Sequence, residues 1–188
     1  MPRLPFRFLS WQTVALILAA VMLAGCSGQR LSDYSEREPE LTPESFFQGE
    51  LWARGVVKDW RGRVIRTFDA EIDASWDEDG VGTLDEVFHF DDGEEEVRVW
   101  TLTPREDGNG YTGTAGDVVE PGHMRYEGNA IHMNYVLEIA YGDGTTTVRM
   151  DDWMYLVTED TLINRTRMSK WGLTVGEVVL TIHRLSSE

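Results

Sequence analysis

The sequence predicts an all-β domain. It reads as an antiparallel up-and-down barrel of eight to ten strands over residues 46–188, behind a signal peptide (1–25) and a flexible tether (26–45). Three observations predict it. From Phe46 onward, short segments alternate apolar and polar side chains, the period of a half-buried strand. Turn residues rich in Gly and Asp separate these segments at close spacing, as in hairpin-connected sheets. No long stretch carries helical periodicity, so parallel sheets, which need crossover helices, are disfavoured.

Residues 47–54 form the first candidate strand. In the second, Val64, Phe68, Ala70 and Ile72 alternate with Ile65, Thr67, Asp69 and Glu71. Asp77-Glu78-Asp79-Gly80 turns into a third strand that carries Leu84, Glu86, Phe88 and Phe90 on one face. Asp91-Asp92-Gly93 is a hairpin signal, and 97–102 returns from it. Asp107-Gly108-Asn109-Gly110 leads into 111–115. Gly128-Asn129 precedes the clearest alternation. There Ile131, Met133, Tyr135, Leu137, Ile139 and Tyr141 share one face, and His132, Asn134 and Glu138 share the other. Tyr141-Gly142-Asp143-Gly144 turns into 146–156, and Glu159-Asp160 turns into 162–168. The last strand is 175–184, with Val178, Leu180 and Ile182 inward. A meander of this kind must leave two edges unpaired or close on itself, and closure removes the edge hazard. About eight strands leave room for side chains or one small apolar ligand. Charged outward positions (Glu71, Arg149, Glu177) argue against a lipid-facing transmembrane barrel.

The 188 residues carry a formal net charge of −16, with 41% hydrophobic and 27% charged positions, which suits a folded domain and not a disordered chain. The acidic balance disfavours nucleic acid, whose phosphates require Lys and Arg, and electrostatic docking on anionic lipid. A single cysteine, Cys26, excludes an intramolecular disulfide and a Cys-based zinc cluster.

That cysteine ends a segment with the features of an export address. Arg3 and Arg7 precede the apolar run 14–24, which is too short to span a bilayer of roughly 20 residues. Leu23-Ala24-Gly25-Cys26 is similar to the bacterial lipobox, which implies cleavage before Cys26 and acylation of its sulfur and new amino group. Several chains would anchor the protein stably, at about 0.8 kcal/mol per buried methylene. Ser27, not Asp, follows the cysteine, and the usual sorting rule then implies the outer membrane, inner leaflet, facing the periplasm. Removing Arg3 and Arg7 from the 17 basic residues leaves 15 against 33 acidic, so lipid rather than charge would hold the chain on the membrane. Residues 27–44 are polar and aperiodic and read as a tether, while Leu31, Tyr34 and Leu41 leave open a segment that hugs the domain.

Asp151 and Asp152 are neighbours on a strand, so they face opposite sides and cannot act as one carboxylate pair. Asp152 shares the inward face with Val148, Met150, Met154 and Leu156, and Asn164 shares its parity with Leu162 and Met168. An inward carboxylate must be bonded or paired. Asp152 and Asn164 therefore read either as the polar end of a ligand cavity or as structural bonds. Met133, Tyr135, Met150, Met154 and Trp100 are the candidate lining, with core filling as the alternative. Ser75, Asp77, Asp79, Gly80 and Glu86 fall on calcium-loop spacing but read as an acidic turn between strands. His89, His123, His132 and His183 lack metal-ligand spacing. No nucleophile elbow, phosphate-binding glycine loop or zincin motif occurs, so neither cofactor, metal nor catalysis is expected.

Several motifs resemble an uncharacterised bacterial lipoprotein family, domain of unknown function 3833. They are Asp151-Asp152-Trp153-Met154-Tyr155-Leu156, Asn164-Arg165, Met168-Ser169-Lys170-Trp171-Gly172 and Val175-Gly176-Glu177-Val178. Earlier matches are Phe47-Gln48-Gly49, Trp60-Arg61-Gly62, Asp91-Asp92-Gly93, Arg98-Val99-Trp100, Tyr111-Thr112-Gly113-Thr114-Ala115 and Gly128-Asn129-Ala130. Gly116 and the stretch 120–126 depart from the pattern. The resemblance implies a lipocalin-like barrel. It also implies lipid biology, because members are often encoded beside enzymes of fatty-acyl modification. By the same analogy, Arg184, which is also counted among the candidate ligand-binding residues, would pack on Trp52, and the Lys-Trp-Gly stretch would close one barrel end. The expectation is a non-enzymatic, outer-membrane-anchored lipoprotein that binds or carries a fatty acid or lipid. A packed protein-interaction module and a lipid-modifying barrel enzyme are the alternatives.

Overall fold

A computed structural model describes residues 28–185. The predicted signal segment and Cys26 lie outside the described residues. After a 3-10 turn, Leu31–Tyr34, and a one-turn helix α1, Pro43–Phe46, the chain forms ten strands. They are β1 Gly49–Asp59, β2 Val64–Trp76, β3 Gly82–Phe90, β4 Glu95–Pro104 and β5 Tyr111–Thr114, then β6 Val118–Glu127, β7 Ala130–Tyr141, β8 Gly144–Thr158, β9 Thr161–Lys170 and β10 Leu173–Arg184. Each strand pairs antiparallel with its neighbours in sequence, and β1 pairs with β10 from Leu51↔Arg184 to Asp59↔Gly176, which closes the barrel. No edge remains, so no strand offers an open ladder.

Alternation fixes which side chains point in. Ala70, Ile72 and Ala74 of β2 are buried, and so are Ile131, Met133, Tyr135 and Leu137 of β7. Two glycines in the wall make room for a large interior residue. A Cβ on Gly113 or Gly122 would stand 2.3 or 2.1 Å from Met133 Cε, so these positions stay bare where Met133 leans on the wall.

Two parts of the sequence reading need correction. The tenth strand is β6, which falls where no alternation was legible. Its pairing with β7 slips between Val118 and Glu120 and again between Glu120 and His123, around Pro121 and Gly122. Proline cannot donate to a ladder, and each slip shifts the inward set, so the period-two signal is lost. The second correction is the tether. From Leu31 the chain packs on the barrel, the alternative that Leu31, Tyr34 and Leu41 left open. Leu41 is fully buried, and its amide donates to Gly128 O at 2.8 Å. Thr42 and Ser45 cap α1 reciprocally. Gly128 has φ +54, and a Cβ there would run into Tyr34 O at 1.8 Å, so only glycine fits beneath the crossing segment. The packed unit therefore begins at Leu31, not at residue 46.

Candidate functional site

The strand directions give the barrel two unlike ends. One end carries the turns before β3, β5, β7 and β9, and here α1 enters the bore. Phe46 and Phe47 pack edge to face at 5.3 Å, and both are buried together with Leu41, Leu51, Leu102 and Leu162. Trp76 Nε1 donates to Phe47 O at 2.6 Å, and the Tyr111 hydroxyl donates to the Glu44 carboxylate. This end is closed. Above Phe47 the bore opens into a cavity of about 920 Å³ that continues to the opposite end. That volume is typical of small-molecule pockets, and most of the lining is apolar. Ile72, Leu84, Leu137, Val148, Leu180 and Ile182 contribute aliphatic wall.

Two polar groups interrupt this lining deep in the bore, below the charged side chains Lys58, Asp59, Arg66, Glu94, Glu96 and Lys170 nearer the mouth. In the first, Asp152 of β8 accepts from the Thr166 hydroxyl at 2.9 Å and from the Asn164 amide, both on β9. Asn164 Nδ2 also donates to Trp153 O at 3.2 Å. The three side chains are 6%, 4% and 4% exposed. Burial pushes the Asp152 carboxyl up to about 6, although the bonds from Asn164 and Thr166 favour its charged form. In the second group, Glu86 of β3 and Arg98 of β4 face inward, with Nη1 4.0 Å from the Glu86 carboxylate. Arg98 turns its main bonds the other way, with Nε 2.9 Å and Nη2 2.8 Å from Asp117 Oδ2, just before β6. Burial raises Glu86 to about 7. Arg98 opposes the rise, and the nearby Asp152 and Asp117 charges add to it. Tyr135 sits between the groups, its ring edge to face with Trp100 at 5.1 Å. Burial first, and then the Asp152 charge, push its hydroxyl well above the ordinary phenol value.

The open end has two arcs. Around β2, β1, β10, β9, β8 and β7, the hairpins carry exposed apolar groups: Trp60 65%, Ile65 57%, Tyr141 74%, Trp171 90% and Leu173 70% exposed. Trp171 has φ +51 and Gly172 +79, the positive pair of a tight hairpin turn, which holds the indole out over the mouth. Lys170 Nζ lies 5.2 Å from that ring, and Arg61 lies 4.5 Å from the Trp60 ring. The other arc is the acidic β3–β4 tip, where Arg66 bridges Asp92 and Glu94 at 2.8 Å. Beside it, β4, the turn before β6 and the end of β7 frame a recess of about 560 Å³. Glu96 and Arg98 line both this recess and the main cavity.

Asp152, Asn164, Met133, Tyr135, Met150, Met154 and Trp100 all line the cavity. Arg184 does not. It is exposed at the closed end, where Nη1 donates to Ser45 O at 3.3 Å. Arg54 lies over Trp52 instead, at 3.6 Å, because Trp52 is paired with His183 and Arg54 stands on the same face of β1. The Lys-Trp-Gly turn flanks the open mouth and does not close it. His132 and Asp151 pair at 2.8 Å beside Trp153, on the face opposite Asp152. Sequence reasoning put Glu86 on one face with Leu84, Phe88 and Phe90 and on calcium-loop spacing read as an acidic turn, and it gave Arg98 no place in the site. The missed signal was two charged residues with inward parity on adjacent strands.

Comparison with known proteins agrees with this architecture. The profile of the protein family of unknown function DUF3833 matches residues 20–184. The fold is similar to that of an S-type phycobiliprotein lyase from Guillardia theta, with TM-score 0.57, 12% identity and coverage of 86% of this chain and 100% of that one. It is also similar to a protein of unknown function from the DUF3598 family of Nostoc punctiforme, with TM-score 0.55 and 15% identity over 85% of this chain. This chain spans about half (53%) of that second protein. No curated protein matches.

Proposed function

The chain belongs to the DUF3833 family, and from that premise we propose that it is a periplasmic lipoprotein that binds or carries an apolar ligand, such as a fatty acid or lipid, in its lipocalin-like barrel. Acyl chains on Cys26 anchor it to the outer membrane. The observation that carries the reading is the cavity of about 920 Å³, apolar along most of its wall and reaching the hairpin end that carries Tyr141 and Trp171. A packed interaction module would fill that bore with side chains. The apolar arc at the mouth supports the reading too, because it offers an acyl chain a path that avoids water.

The test is native mass spectrometry of the full chain purified from its host's membranes, with lipid extraction and N-terminal peptide mapping. The expected result is a co-purifying lipid released on unfolding and an N-terminal peptide that begins at acylated Cys26. A bare protein with an unmodified Cys26 would reject the anchor and the cargo together.

A further inference from the structure

The cavity wall carries a second layer of information, which concerns the ligand's polar group. Glu86, Tyr135 and Asp152 face the bore from β3, β7 and β8, and all three line the cavity. Arg98 is the cation that accompanies them, and its guanidinium is committed to Asp117 through two bonds of 2.8 and 2.9 Å. Glu86 lies 4.0 Å from Arg98, beyond hydrogen-bond reach, and its one side-chain donor is the Trp100 indole, which leaves carboxylate lone pairs open to the bore. Tyr135 is only 7% exposed, and its hydroxyl has no hydrogen-bond partner among the described residues. The residue lines the cavity, so its hydroxyl is open to a partner that arrives with the ligand. Around this point the protein offers carboxyl oxygens from Glu86 and the second oxygen of Asp152, against one spent guanidinium.

We propose that this patch selects an apolar ligand whose polar group donates hydrogen bonds, namely a hydroxyl, amide N–H or ammonium, and disfavours an ionised carboxylate. A carboxylate placed at this depth would face Glu86 and Asp152, with Arg98 already committed to Asp117 and the other lining cations, Lys58, Arg66 and Lys170, nearer the mouth. An alcohol or amine donates to Glu86 or Asp152 and can accept from the Tyr135 hydroxyl. The inference rests on the apolar-ligand reading and narrows it from fatty acids in general to their uncharged or cationic relatives.

The test is displacement of an uncharged apolar fluorophore, N-phenyl-1-naphthylamine, from the full chain near neutral pH. The competitors are 1-dodecanol, dodecylamine and dodecanoate, each below its micelle concentration. The alcohol and the amine are expected to compete at concentrations about tenfold lower than the acid, the scale of one charge-assisted hydrogen bond. Glu86→Gln should shrink the amine-to-acid ratio by about fivefold or more. Tyr135→Phe, which keeps the ring, should weaken the alcohol about three- to fivefold relative to whatever change it makes in fluorophore binding. Equal or tighter binding of dodecanoate would overturn the inference, and so would ratios unchanged in both variants with the native near-ultraviolet circular dichroism intact. Failure of the fluorophore to bind would instead overturn the apolar-ligand reading on which the inference stands.

Discussion

At the closed end, Leu41, Pro43, Phe46 and Phe47 enter from outside the sheet and fill the bore. At the open end, Trp60, Tyr141, Trp171 and Leu173 stand on hairpins in water. The residue types are alike, and the difference is what covers them. A short segment with a capped turn of helix supplies a lid at one end, whereas nothing in the described chain covers the other. Burying a large side chain contributes roughly 1.5–3 kcal/mol, so cohesion is concentrated at the lid. Exposed aromatic groups beside a cavity add little to cohesion and mark a place of contact. The barrel is thus held at one end and accessible at the other, with the polar groups of Asp152 and Glu86 between.

The largest expected effect tests the lid. Phe46→Ala should cost about 3–5 kcal/mol in urea unfolding, through lost burial and the hollow left behind. Trp171→Ala at the opposite end should stay within about 0.5 kcal/mol. Equal costs for the two would break the comparison.

Next comes pH, which probes the middle of the barrel. Glu86 and Asp152 have folded values of about 7 and about 6, above their ordinary 4.5 and 3.8. The folded state then holds protons that the unfolded chain has released. Their contribution is complete below about pH 4 and is lost as pH rises through 6 and 7. Stability should fall by roughly 2–4 kcal/mol between pH 5 and 8, and Glu86→Gln should flatten that slope. A melting temperature that rises steadily across the same interval would contradict it. The surface carboxylates work in the opposite sense at lower pH. Arg105 and the Asn109 amide hold Asp107 down to about 2, so acid destabilisation from such groups begins below the window of the buried pair.

Asn164→Ala is a smaller change. It removes one donor from Asp152 and should cost about 1–3 kcal/mol by denaturant titration, and the steepest part of the pH dependence should move upward. The smallest effect is expected for Arg184→Ala. Its side chain is exposed and makes one 3.3 Å bond at the edge of the lid. The melting temperature should shift by no more than a degree or two. A larger loss would mean that the lid depends on its rim as well as on its aromatic filling.

Most of the wall was legible from alternation. Strand β7 was readable because Ile131, Met133, Tyr135, Leu137, Ile139 and Tyr141 share one face and its pairing with β8 has no slip, and β8 and β9 placed Asp152 and Asn164 inward by parity alone. Strand β6 was not readable, because its register shifts around Pro121 and Gly122. The lid escaped notice for a different reason. Leu41, Phe46 and Phe47 are too few to show a period, and their burial depends on a bore formed by strands that run from Gly49 to Arg184. Glu86 was visible as a charge on an apolar face, but alternation assigns a face and not a partner, and Arg98 was not singled out.

The sequence by itself determined an all-β chain, its hairpin order, the inward face of most strands and its family, because period and turn chemistry are local properties. Closure of β1 on β10, the filling of one end by α1, and the meeting of Asp152 with Asn164 and of Arg98 with Asp117 were decided only in three dimensions. Each of these joins residues from separate strands or turns. Their contacts depend on how the sheet curls and where its registers slip, and no local pattern encodes that.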